Sequence, residues 1–151
     1  MNEEINQKNI LVVNGPNLNL LGFREPGIYG QTTLEEGMKA LEERFPQVRF
    51  TFFQSNIEGE LVDVIQQYGF TADGIVLNPA AYTHTSVALL DALRAVPVPA
   101  VEVHLSKPEE REEFRRVSYV RAACIKTVTG MGGDGYLRAV DALEEHYARR
   151  H

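Results

Sequence analysis

Apolar residues recur along the chain in two alternating rhythms. Five short, β-prone runs read as buried strands: Asn9–Val13, Val48–Phe53, Gly74–Leu77, Ala100–His104 and Ala122–Val128. Between most of them the spacing changes to that of a helix. Thr33-Leu34-Glu35-Glu36 has the form of a capping box, and Leu34, Met38, Leu41 and Phe45 then fall on one helical face. Glu58–Tyr68 groups Leu61, Val64, Ile65 and Tyr68; Thr83–Val96 groups Val87, Leu90 and Leu93; Tyr136–Arg149 groups Tyr136, Val140, Leu143 and Tyr147. Arg111–Arg116 reads as a further short helix. Strands alternating with helices predict an α/β fold with a parallel sheet, and five units in this length fit a flavodoxin-like, doubly wound order, 2-1-3-4-5.

No shift of composition marks a domain boundary, so residues 1–151 read as a single domain, with 1–8 a flexible N-terminal stretch. The net charge of −6 argues against nucleic acid and anionic membrane as partners. A small anionic substrate is compatible only with a local cationic site. No apolar run is long enough to span a bilayer, and the acidic start Met1-Asn2-Glu3-Glu4 is unlike a signal peptide. A single cysteine, Cys124, excludes an internal disulfide, suits the cytoplasm, and reads as a core residue within the fifth strand.

In doubly wound sheets, ligands bind beyond the carboxyl ends of the strands, and polar residues collect there in this chain. Strand one leads to Asn14 and Asn17, strand two to Gln54, Ser55 and Asn56, strand three to Asn78 and then Thr83-His84-Thr85-Ser86, and strand four to His104-Leu105-Ser106. The segment after strand one, Asn14 to Gly30, is far longer than a connecting loop needs to be. It carries Asn17, Arg24 and Tyr29 among glycines, prolines and leucines, as a lid over a site would.

Glu102 lies two residues before His104 on a strand, so the two side chains leave the same face. That suits a carboxylate holding an imidazole in one tautomer for acid–base work. Arg111 and Arg115, four apart, would share a helical face, paired in part with the surrounding glutamates. Three rival motifs are weaker. Gly130-Met131-Gly132-Gly133-Asp134-Gly135 matches a dinucleotide fingerprint but falls in the last βα unit, with no further strand to supply the ribose-binding acid. His84, His104 and Glu102 lack metal-ligand spacing. Ser86 lies in no nucleophile elbow.

Taken together, NGPNLNLLGFREPGIYG, QSNIEGEL, NPAAYTHTSVALLDA, EVHLS and REEFRRVSY resemble the type II 3-dehydroquinate dehydratases, in order from about Asn9 to Tyr147. The resemblance implies a hydro-lyase of the shikimate pathway that converts 3-dehydroquinate to 3-dehydroshikimate through an enolate. It implies no metal and no organic cofactor, and a homo-oligomer, a dodecamer built as a tetramer of trimers. Tyr29 resembles the general base and Arg24 the lid arginine that lowers its pKa. Asn17 resembles the residue holding a water near the enolate oxygen, and His104, with Glu102 behind it, the general acid. Asn78, His84 and Arg115 resemble groups binding the ring hydroxyls, and Leu105 and Ser106 a clamp on the substrate carboxylate. Asp91 resembles a residue reaching a neighbouring subunit's site; it follows His84 by seven residues, on nearly one helical face. Arg111 resembles a second arginine near the base. Ile57 and Leu90 depart from the family's pattern, and Phe23 occupies a variable lid position. The alternatives are a flavodoxin-like module binding nucleotide or flavin, and a dehydratase using a lysine imine, for which Lys107 and Lys126 are the candidates.

Overall fold

The computed structural model describes residues 7–23 and 32–150. Five parallel strands, β1 (Asn9–Asn14), β2 (Arg49–Gln54), β3 (Gly74–Asn78), β4 (Ala100–His104) and β5 (Lys126–Thr129), form one sheet in the order β2-β1-β3-β4-β5. Among the described residues α1 (Leu34–Arg44), α2 (Glu58–Tyr68) and α3 (Val87–Ala95) join the first four strands in turn, 3-10 turns join β4 to β5, and α4 (Asp134–Arg150) follows β5. The expected doubly wound order is the observed one. Central strands β1, β3 and β4 are buried along nearly their whole length, because helices cover both faces; the edge strand β2 is only half-buried.

Strand alternation sorts the core into two layers. Ile10, Val12, Val76, Val101 and Val103 face α1 and α4, packing against Leu41, Val140 and Leu143. Leu11, Val13, Ile75 and Leu77 face α2 and α3, packing against Leu61, Ile65, Leu89 and Leu93. The capping box opens α1 as expected, with Glu36 N–H donating to Thr33 Oγ1 at 3.2 Å. Gln7 and Lys8 are tied to the edge of the sheet: Arg49 N–H donates to the Lys8 carbonyl at 2.8 Å and the Arg49 guanidinium to Gln7 Oε1 at 3.2 Å. The rest of the expected N-terminal extension, residues 1–6, lies outside the described residues.

Four sequence expectations are corrected. The expected helix Thr83–Val96 is broken in two, a 3-10 turn over Ala80–His84 followed by α3 from Val87. The break arises because Ser86, itself extended at φ −97° and ψ 97°, caps α3, its Oγ accepting from Leu89 N–H at 2.9 Å. His84 and Asp91 therefore share no helix face. Arg111–Arg116 is not a helix: Arg111 is extended, and only Glu113–Arg115 makes a 3-10 turn. The fifth strand begins at Lys126, since Val120–Ala123 forms a 3-10 turn. Cys124 thus sits just before β5, partly buried at the margin of the α2/α3 layer.

The strand ends meet closely where the sheet's carboxyl edge opens. Gly15 N–H donates to the Asn78 carbonyl at 2.8 Å, and a Cβ on Gly15 would lie 2.6 Å from the Pro79 carbonyl oxygen. Only glycine fits that approach. Gly15→Ala should therefore destabilise the protein by about 1–3 kcal/mol through overpacking against backbone. Gly37→Ala, in the interior of α1 where a Cβ meets nothing within 4 Å, should stabilise it by about 0.5–1 kcal/mol. Urea midpoints check the pair; a Gly15→Ala midpoint equal to wild type would show that the Asn78–Pro79 backbone yields freely.

Candidate active site

A cavity of about 240 Å³ opens at the carboxyl ends of β1, β3 and β4. Its walls include Asn17 after β1, Asn78 at the end of β3, His84 from the following turn, and His104, Leu105 and Ser106 at the end of β4. Arg111 and Arg115 close it from the segment beyond. Eight of the sequence-selected residues are thereby brought to one place. A ninth, Glu102, stands directly behind His104, with His104 Nε2 and Glu102 Oε2 2.6 Å apart.

Glu102 is fully buried, on the face of β4 that otherwise faces α2 and α3. A buried carboxylate is tolerable only when its lone pairs are filled. Here Oε2 sits 2.8 Å from Thr83 Oγ1 and 2.5 Å from Ser118 Oγ, besides its bond to His104. Oε1 accepts from Thr127 Oγ1 at 2.8 Å and from Arg121 Nε at 3.2 Å. Burial alone would raise the pKa of Glu102; the hydrogen bond and charge of His104, with the Ser118 and Thr83 hydroxyls, outweigh it and hold the carboxyl well below the usual range. An ionised carboxylate only accepts, so His104 Nε2 carries a proton and Nδ1 is the nitrogen left for a ligand.

His84 stacks on His104 with ring centroids 6.5 Å apart. Its Nδ1 lies 2.6 Å from the Val117 carbonyl, which only accepts, so Nδ1–H is the donor. Burial lowers the His84 pKa, helped by the charges of His104 and Arg115, which favours neutral imidazole with Nε2 as an acceptor. The paired histidines thus differ in role, one braced by a carboxylate and one kept neutral by its surroundings.

On the opposite face of the sheet, Asn14 and Asn78 are register partners. Tyr136 of α4 spans them: its hydroxyl donates to Asn14 Oδ1 at 2.6 Å and accepts from Asn78 Nδ2 at 3.0 Å. Asn78 Oδ1 accepts from Ala80 N–H at 3.1 Å, where Ala80 takes a left-handed φ of 53°. Asn17 is also left-handed, at φ 70°, and its N–H donates to Asn56 Oδ1 at 2.9 Å. Non-glycine residues at positive φ cost energy and cluster at functional sites.

The glycine-rich turn before α4 has a structural task. Gly130 N–H bonds the carbonyls of His104 (3.2 Å) and Ser106 (3.0 Å), and Gly132 N–H that of Leu105 (3.0 Å). Gly130 and Gly132 have φ of 72° and 56°. These amides brace the segment after β4 and are not presented to a phosphate, which removes the nucleotide reading of the motif. Glu112 Oε1 pairs with Arg115 Nε at 3.0 Å and lies 3.9 Å from Arg111 Nε. Among the described residues no three His, Cys, Asp or Glu are grouped to hold a metal ion, and no helix is long and apolar enough to cross a membrane. Burial, with the charge of Glu102, pushes the Cys124 thiol up to about 12, so it is no nucleophile at neutral pH.

Arg24 and Tyr29 lie outside the described residues. Asp91 is exposed on α3 and does not line the cavity. Beyond His104, the sequence reading missed the partners of Glu102: Thr83, Ser118, Arg121 and Thr127. Thr127 was findable, since β5 runs beside β4 with Thr127 opposite Glu102. Arg121 and Ser118 lie in irregular chain and give no periodic signal.

A doubly wound α/β sheet that sets a carboxylate-braced imidazole and two arginines around one cavity has the arrangement of an acid–base site for a small polar molecule. Comparison with known proteins narrows the class. Residues 8–144 match the family model described as dehydroquinase class II, and the chain belongs to that family. It is 54% identical over 144 residues to the 3-dehydroquinate dehydratase of Carboxydothermus hydrogenoformans, covering 93% of both chains. It is 48% identical to that of Fusobacterium nucleatum, covering 91% of this chain and 97% of the relative. The crystal structure of type II dehydroquinase from Butyrivibrio crossotus superposes with a TM-score of 0.89 at 43% identity, covering 92% of this chain and 99% of that one.

The depressed Glu102 pKa fixes a sign. A carboxyl held lower in the folded state contributes stability that is full above its unfolded value, near 4.5, and is lost as pH falls toward the folded pKa. Wild type should thus lose more urea resistance between pH 5 and pH 3 than Glu102→Gln does. Equal losses would mean that the buried carboxylate carries no such linkage.

Proposed function

We propose that this chain is a type II 3-dehydroquinate dehydratase, a hydro-lyase of the shikimate pathway that eliminates water from 3-dehydroquinate to give 3-dehydroshikimate. The observation that carries the reading is the His104–Glu102 pair, proton on Nε2, at the wall of a cavity that also presents Asn78, His84 and Arg115. The carbonyl at C3 makes the C2 proton removable. A base takes that proton and the electron pair spreads onto the C3 oxygen as an enolate. When the enolate collapses, the C1 hydroxyl departs and takes a proton from His104 Nδ1, completing a molecule of water. Ionised Glu102 stabilises the imidazolium that serves as acid. Neutral His84, Asn78 and Arg115 bind the ring hydroxyls. The Leu105 and Ser106 segment, held by the Gly130–Gly132 turn, clamps the substrate carboxylate, and Asn17 holds a water near the enolate oxygen.

Tyr29 is the base on this reading. A free phenol has a pKa of ~10, and lowering it by one pH unit takes ~1.4 kcal/mol of extra stabilisation of the phenolate. A guanidinium about 4 Å away contributes ~4 kcal/mol at an effective dielectric of ~20, enough to bring a tyrosine toward neutrality. Arg24 supplies that charge and Arg111 a second. Tyr29→Phe should cut kcat at least ~10²-fold while product still binds. His104→Ala should slow water loss more than deuterium exchange at C2, because the base stays in place. Formation of the conjugated enone by ultraviolet absorbance, with wash-in at C2, measures both; near wild-type turnover by Tyr29→Phe refutes the base assignment.

The enzyme works in the cytoplasm as a homododecamer, a tetramer of trimers, with Asp91 serving a neighbouring subunit. Support comes from the exposure of Asp91 on α3, away from its own chain's cavity, and from Val87, Val117 and Tyr119, large apolar side chains that are also exposed. Tyr29→Phe and Asp91→Ala, prepared separately, dissociated and reassembled together, should regain activity above both parents. Verified subunit exchange with no gain sinks the shared site and leaves the Tyr29 and His104 chemistry standing.

A further inference from the structure

Glu102 holds an imidazole and a guanidinium at once. Oε2 takes the His104 Nε2 proton at 2.6 Å, while Oε1, the other oxygen of the same carboxylate, takes Arg121 Nε at 3.2 Å and the Thr127 hydroxyl at 2.8 Å. The carboxylate is wholly buried, whereas the Arg121 side chain is 49% exposed and arrives from the 3-10 turn Val120–Ala123, outside the cavity. Arg121 is not among the described residues that line the cavity. We propose that Arg121 is a positioning residue that tunes the acidity of His104 through Glu102.

The physics follows from sharing one charge. A carboxylate with a single cationic partner stabilises an imidazolium strongly, which makes a poor acid; a second cation on the other oxygen draws down that stabilisation. Arg121 thereby keeps the His104 proton available for transfer, while Glu102 still fixes its tautomer. The other charged and titratable groups around the pair act from different sides. His84 stacks on the His104 ring, Arg111 and Arg115 face it across the cavity, and Cys124 lies near Glu102 with its thiol neutral. Arg121 alone among these donates to the carboxylate from behind. Its half-exposed head limits the effect by solvent screening to roughly half a pH unit.

The inference deepens the dehydratase reading through the acid role of His104, yet its first test needs no turnover. Ring 15N resonances of the ligand-free protein report the His104 titration directly. Arg121→Gln should raise the His104 pKa by about 0.5 pH unit, and Arg121→Lys, which keeps the charge, should restore most of it. In wild type the Arg121 Nε–H resonance should shift with the same midpoint as His104, an observation that requires no variant to fold. With substrate, Arg121→Gln should move the upper limb of the kcat profile to higher pH by the same amount and lower kcat about threefold (~0.5 log unit) with KM little changed. An unshifted His104 pKa in Arg121→Gln, or an Arg121 Nε–H resonance that ignores the His104 titration, overturns the proposal. A shifted ring pKa without a shifted rate profile supports the coupling and instead refutes His104 as the catalytic acid.

Discussion

One buried carboxylate organises the working end of this molecule. Glu102 shares a sheet face with buried Ala100 and Leu77 and is itself fully buried, so removing it from water is costly unless every lone pair is filled. Filling them draws four separate pieces of chain together: the Ala80–His84 turn through Thr83, the stretch after Arg115 through Ser118, the Val120–Ala123 turn through Arg121, and β5 through Thr127. The fifth partner is His104, so the same requirement that fixes the loops fixes the imidazole. Local structure and chemistry share one cause. A glutamine here would offer an N–H group where only acceptors fit, and the donors converging on it would lose their common target.

The opposite face of the sheet solves a gentler version of the problem. Asn14 and Asn78 end two paired central strands and are buried, yet neither carries charge. A single phenol, Tyr136, satisfies both while its ring packs in the α1/α4 core; burial raises its pKa, keeping the proton that the Asn14 bond needs. Two faces therefore hold the cavity edge by different means. One is a neutral network that sets where Asn78 stands, and the other a charged network that sets which atom of His104 is protonated. Rigid strand ends between them provide the preorganisation that acid–base chemistry demands.

The fold was legible because its signals are local and periodic. Strand β1 reads as an unbroken apolar run and α1 opens on a capping box, and both stand where expected. The Glu102–His104 pair was legible for the same reason, since period two on a strand is a geometric statement. Failures occurred where local geometry was ambiguous. Apolar Val87, Leu90 and Leu93 carry a helical rhythm, but the rhythm says nothing about where the helix starts, and with Ser86 as its cap the helix begins at Val87 and not at Thr83. Arg111 and Arg115 have i, i+4 spacing yet belong to no common helix; they meet because both border the cavity, not because a helix presents them. Arg121 was invisible to any pattern, since its importance depends on a carboxylate nineteen residues away along the chain.

Charge presents a last problem of consistency. The chain carries a net −6, and its proposed substrate is an anion, so attraction cannot come from the molecule as a whole. Among the described residues the cavity wall supplies Arg111 and Arg115, and Glu112, about half exposed, lies beside both. Pairs of that kind are worth little, ~0–1 kcal/mol, because water screens them. At Arg115 an arriving carboxylate or hydroxyl therefore competes against a weak partner rather than a buried one. Glu102 is the converse case: the carboxylate itself is wholly buried and its five donors are fixed by the surrounding chain, so they are not for exchange. The same ion pair chemistry thus serves two ends on one site, loose where a ligand must enter and tight where a proton must be placed, and burial alone decides which.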